Sequence, residues 1–329
     1  MRVTTNTYPD TLLRHLQRVT KDMNHLNEQV ATGQRFSKVS EDSASANRVL
    51  DMQEEKGKIT QFSRNAARAQ NINNTTISQL QNFIDISDRV SEIATLADGI
   101  KGPDGLRAYA EEVDELIEHA MQSANASFNG EFIFAGTDSD NRPFEVVDMR
   151  DDSGNSYSKN LGTGVITMTD SGGATSTVAS FPDDGEIVSV EYVGAAEGTK
   201  FHVSESGTIK PFTDGATNQK FRDFINRMIT LRDELAAGTP SGSATRESLE
   251  SSEDDLIFAL SRQGSVQMRI EFDLKLNEQR FTDLEENISA EADVDIAQTV
   301  VRLTQVQNAY QASLKSAGQV LNQSLLDYL

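Results

Sequence analysis

Cysteine and tryptophan are absent from this chain of 329 residues. No disulfide can staple it, and thiolate nucleophiles and cysteine-ligated metals are excluded. The redox compartment stays open, because lack of cysteine suits cytosolic and extracellular chains alike. Histidine is nearly as scarce. His15, His25, His119 and His202 form no i, i+4 pair and no His-Glu-x-x-His motif. The Glu-x-x-His pattern of di-iron bundles fails too, since Leu116 stands three positions before His119. No Gly-x-Ser-x-Gly elbow or Walker sequence occurs, and Gly162-Thr-Gly-Val-Ile-Thr167 lacks the third glycine of a dinucleotide fingerprint and reads as a hairpin turn. Asp138-Ser-Asp-Asn-Arg-Pro143 begins like a calcium loop but has proline where the sixth-position glycine is required, so it reads as a polar turn. The residues point to no enzyme, cofactor or metal.

Long apolar runs are also missing. Nothing approaches the roughly 18 residues of a membrane span, and the start of the chain has no charged head leading into an apolar core, so no cleavable signal peptide is expected. The net charge of -21 repels phosphate backbones and anionic lipid surfaces, which argues against nucleic acid and membrane partners. Apolar residues make up 37% and aromatics 6% of the chain. That is lean for one compact globule of this length and predicts an elongated protein with thin cores.

There are six prolines, at 9, 103, 143, 182, 211 and 240, which leaves residues 10–102 and 241–329 free of a helix breaker. Leu12, Leu16, Val19, Met23, Leu26 and Val30 recur at spacings of four and three, a heptad seam on a helix that starts at Pro9-Asp10 and ends at Gly33. Near the other end, Ile296, Val300, Leu303, Tyr310, Leu314, Ala317 and Leu321 follow the same register, with Gln307 as its one strongly polar member. Residues 1–40 sum to +3 and residues 288–329 to -2, so the two ends are expected to pair. Further helical seams run through Leu80, Phe83, Val90, Ala94 and Ala97 up to the breaker at 98–105, then Leu106 to Ala124, then Phe221 to Leu235. A last seam from Leu256 to Ile288 is interrupted by Gln263, Gln267 and Asn277.

Residues 137–215 differ in character. Gly, Ser, Thr and Asp dominate, and alternating runs at 165–169 and 186–193 read as strands. With 14 acidic and 5 basic residues this segment faces solvent. The predicted fold is therefore mainly α with a β-rich insertion. N- and C-terminal segments return along each other as a long antiparallel helical bundle or coiled coil. The expected divisions are terminal helices at 1–40 and 290–329, a helical rod at 41–136 and 216–289, and the insert at 137–215.

Three stretches carry a resemblance to a known family. Ala31-Thr-Gly-Gln-Arg-Phe-Ser-Lys-Val-Ser-Glu-Asp42, Phe128-Asn-Gly-Glu-Phe-Ile-Phe-Ala-Gly-Thr137 and the segment from Tyr310 to Leu329 resemble the flagellin superfamily, and within it the hook-associated proteins of the hook–filament junction. Filament flagellin is the alternative. The resemblance implies a structural subunit of the extracellular bacterial flagellum, folding its ends only on assembly, with further copies in a ring. It also implies a second hook-associated protein, flagellin and a cytoplasmic export chaperone as partners. The last 42 residues hold six charged side chains, so that helix can be covered on several sides without stranding charge. The subunit contacts are expected at Leu12, Leu16, Val19, Met23, Leu26 and Val30 with Val300, Leu303, Tyr310, Leu314, Leu321 and Leu325.

Overall fold

The computed structural model describes residues 7–97 and 102–326, with side chains from residue 10 to residue 319 within them. The first half of the breaker at 98–105, residues 98–101, and the last three residues lie outside the described residues. The helices are α1 (Thr7–Thr32), α2 (Ser43–Leu96), α3 (Pro103–Ala124), α4 (Gly215–Ala236), α5 (Ser243–Ala292) and α6 (Ile296–Leu326). Between α3 and α4 lie the hairpin β1 (Ser127–Phe128) and β2 (Glu131–Phe132), then β3 (Phe144–Arg150), β4 (Ser156–Lys159), β5 (Ile166–Thr169), β6 (Thr175–Val178) and β7 (Glu186–Tyr192). The short pair β8 (Phe201–His202) and β9 (Thr208–Ile209) completes this region. The fold is thus mainly α with an inserted antiparallel sheet, as the composition break predicts. Two compact units make up the chain: residues 1–60 with 278–329, and residues 61–277.

The second unit holds the main core. Leu80, Phe83, Val90 and Ala94 of α2 and Ala97 just past its end are buried, as are Leu106, Val113, Ile117 and Ala124 of α3 and Phe221, Phe224, Met228, Leu231 and Leu235 of α4. These are the seams read from the 3.6-residue period. Phe83 stacks on Phe221 at 5.3 Å between centroids, and Phe134 meets Phe221 edge-on at 5.5 Å. Phe134 reaches this cluster because β1 and β2 reverse through Asn129 (φ 54°) and Gly130 (φ 85°), the paired positive φ angles of a two-residue hairpin. Its carbonyl is then fixed by the Asn218 amide at 2.7 Å and the Tyr192 hydroxyl at 3.1 Å. Gly136 follows at φ 70°, and any Cβ there would meet the Ala195 carbonyl oxygen at 2.6 Å, so only glycine fits.

The five-stranded sheet runs in the order β6-β5-β4-β3-β7. β4 and β5 are joined through the turn at 160–165, with Gly164 at φ 69°. One edge is covered, because Asn226 of α4 accepts from the Val190 amide and donates to its carbonyl, both at 3.0 Å. Asn141 donates to Asp138 at 2.9 Å, which makes Asp138–Pro143 a self-bonded polar turn. The polar interruptions of the α5 seam have partners as well. Asn277 donates to the Val203 carbonyl at 3.1 Å, Gln263 donates to that of Pro211, and Gln267 accepts from buried Asn73 at 2.8 Å.

Candidate assembly interface

The site is built in the first unit, where α1 packs against α6. Gly33 ends α1 at φ 72°, with its amide bonded to the Gln29 carbonyl at 2.8 Å, a positive-φ helix stop. The chain past it bonds to the end of α5 and to the turn that leads into α6. Arg35 donates its backbone amide to Ala292 at 2.6 Å, and Val294 donates to Gly33 at 2.9 Å. Joined there, α1 and α6 run antiparallel, and α1 is about 39 Å long at 1.5 Å per residue.

A charged clasp holds the same corner. The Arg35 guanidinium donates to the Ser45 hydroxyl at 2.8 Å and to Asp42 at 3.3 Å, and it lies 3.5 Å from Glu291. Arg48 reaches Glu291 at 3.0 Å. The Ser45 amide and hydroxyl, and then Arg35 and Arg48, hold the Asp42 carboxyl below the usual carboxylate range. Hydrogen bonding from Arg48 does the same for Glu291. The segment Gly33–Asp42 is therefore a fastener between helices, with the acid at its end bonded back to the arginine.

On α1, Val19 is buried, while Leu12, Leu16, Met23, Leu26 and Val30 are half-buried. On α6 the face turned inward is Thr299, Leu303, Val306, Tyr310, Ser313 and Ala317. Leu303, Tyr310 and Ala317 belong to the seam read from sequence. Val300 and Leu314 do not reach it: they are 42% and 46% exposed, on the flank shared with Gln307 and Ile296. The side chains of Leu321 and Leu325 lie outside the described residues. A seam that counts only large apolar side chains selects Val300 and Leu314. The helix instead turns its smaller residues, Thr299, Ser313 and Ala317, toward α1, and half-buries Val306 while leaving Gln307 exposed. Rotated that way, α6 keeps an amide out of the contact and leaves Ile296, Val300, Val301 and Leu314 uncovered, with Leu13 uncovered on α1.

The uncovered face carries little charge. The 31 residues of α6 contain Arg302 and Lys315 as their only charged side chains, against 25% charged residues chain-wide. It can be desolvated at small electrostatic cost.

Residues 3–139 match the family described as the bacterial flagellin N-terminal helical region. The chain has a flagellin-type fold. Among solved structures, a protein of Vibrio parahaemolyticus described as flagellar hook-associated is 13% identical, with TM-score 0.58, over 77% of this chain and all of that one. FlgL of Bacillus cereus is 16% identical, with TM-score 0.54, over 73% of this chain and 99% of that one. No curated protein sequence matches the chain significantly. At these identities the likeness is one of fold, and within the flagellin-type fold the matched region includes the α1 seam and the clasp at Gly33–Asp42. Among the described residues, no three His, Cys, Asp or Glu side chains are grouped to hold a metal ion, and no helix is long and apolar enough to cross a membrane.

Proposed function

We propose that this chain is a structural, non-enzymatic subunit of the bacterial flagellum at the hook–filament junction, assembling through its terminal helices. The observation that carries the reading is the half-buried α1 seam beside a charge-poor α6 whose Val300 and Leu314 stay exposed. Two helices that cover each other only in part remain marginal in water and gain their order when further helices pack on them. Residues 1–40 and 290–329 form the assembly region, and Leu12, Leu16, Val19, Met23, Leu26, Val30, Val300, Leu303, Tyr310, Leu314, Leu321 and Leu325 supply its contacts. The fold shared with FlgL of Bacillus cereus and with the Vibrio protein supports the junction over the filament. The partners are then other copies in a ring, a second hook-associated protein, flagellin, and a cytoplasmic export chaperone that shields the C-terminal helix before export.

Deleting the gene in its bacterium tests this. Bare hooks with flagellin leaking into the medium, seen by electron microscopy and mass spectrometry, are the expected result. Bare hooks with no flagellin would make the chain the filament protein, and intact filaments would exclude both roles.

A further inference from the structure

The second unit holds an open cleft of about 330 Å³ between β9 with the segment after it (residues 208–214), the start of α4 and the middle of α5. Its floor is apolar, with Ile209, Phe212 and Ala259. Its polar rim is cationic. Arg262 bonds Asp214 at 2.7 Å, but Lys210 and Arg269, both exposed, have no ion-pair partner among the described residues. Two unbalanced cations over an apolar floor are a local attraction for a carboxylate, set against the general repulsion of anions by a chain of net charge -21. The rim continues into apolar surface. Phe258 stands one turn before Arg262 and Phe272 one turn after Arg269, and both are 65% exposed.

A matching group lies on the insert of the same chain. The β3–β4 turn and the turn before β7 converge on one pocket lined by Asp151, Asp152, Pro182, Asp183 and Asp184. Asp151 is consumed in shaping its turn, accepting from Asn155 and Tyr157. Asp152, Asp183 and Asp184 are exposed and pair with no cation among the described residues. Asp183 and Asp184 directly follow Phe181-Pro182, which are half-buried, so this tip places partly exposed apolar side chains beside carboxylates. The cleft offers the reverse: cations beside exposed phenylalanines.

We propose that the Lys210–Arg262–Arg269 cleft binds carboxylates, and that its ligand is the Phe181–Asp184 tip of a second copy of this chain. The contact is head-to-tail, with a different surface used on each copy, so it can propagate around a ring or along a helix. It uses neither α1 nor α6 and stands whether or not the terminal helices assemble as proposed above.

Charge reversal tests it on the full-length protein, by sedimentation velocity at high concentration and low salt. Lys210→Glu with Arg269→Glu, and separately Asp183→Lys with Asp184→Lys, should each weaken self-association about tenfold, the scale of two exposed ion pairs. All four positions are exposed, so circular dichroism should stay that of the parent. Mixing the two variants should restore association, because the reversed cleft of one then meets the reversed tip of the other. Full association by either variant alone overturns the proposal. A mixture that stays dissociated overturns it too, since the cleft would then bind some other anion.

Discussion

Arg232 of α4 is 2% exposed and donates to Asp114 of α3 at 2.6 Å, with its own neighbour Asp233 taking two more of its hydrogens at 2.8 and 3.1 Å. Burial alone would lower the affinity of this guanidinium for its proton, yet its hydrogen bonds to Asp114 and Asp233 leave it raised. An arginine so placed is tolerable only while its acids remain.

Removing Asp114 therefore costs more than removing the pair. Asp114→Ala should destabilise the second unit by about 2–3 kcal/mol, less than a fully orphaned buried charge because Asp233 still holds the guanidinium. Arg232→Met combined with Asp114→Leu should recover most of that loss. Urea unfolding of the single and double variants checks this, and additive losses would refute it.

The amides that break the α5 seam should act locally. Val203 is fully buried, so Asn277→Ala leaves its carbonyl without a partner, at a cost of about 1–3 kcal/mol. The loss should appear as faster hydrogen exchange and protease cleavage around β8 and β9, with the exchange of α3 and α4 unchanged. Equal acceleration everywhere would mean that Asn277 supports the whole unit.

The core of the second unit was legible in the sequence because its helices obey a simple period: Leu106 to Ala124 and Phe221 to Leu235 are buried at the positions where apolar residues recur. Gln263 and Asn277 were visible as exceptions, but what they bond was not. Their partners are backbone carbonyls of Pro211 and Val203, 52 and 74 residues away, and a carbonyl has no sequence signature. The rotation of α6 was hidden for a different reason. Heptads 303-310-317 with 300-307-314, and 303-310-317 with 299-306-313, both satisfy the spacing. The choice depends on which flank hides Gln307 from α1, and that is a property of the pair. The carboxylate cleft left no sequence signal, since Lys210 and Arg269 lie on different elements.

The clasp at Asp42 and Glu291 predicts a response to acid. Both carboxyls sit below the usual range in the folded protein. Their contribution to stability is thus full above the ordinary carboxylate range and is lost as pH falls through the lowered values. Amides of residues 33–45 should lose protection as pH is taken from neutrality down past that range. In Glu291→Gln the same amides should be less protected at neutral pH and change less on acidification. A variant with the parent's acid response would remove Glu291 from the clasp.

Leu314 and Ala317 separate assembly from folding, because they lie three residues apart on α6 but differ in burial, at 46% and 9% exposed. A carboxylate at 314 remains in water in the free chain and is stranded only when a neighbour covers that flank. Leu314→Asp should leave the helical content and melting of the purified protein near those of the parent while abolishing motility and stable incorporation into flagella. Ala317→Asp places the charge against α1, so it should loosen the α1–α6 pair in the isolated protein as well, read as lost protection in both helices. Motile cells carrying Leu314→Asp would show that this flank of α6 faces no neighbour, and the assembly surface would have to be sought on α1 around Leu13.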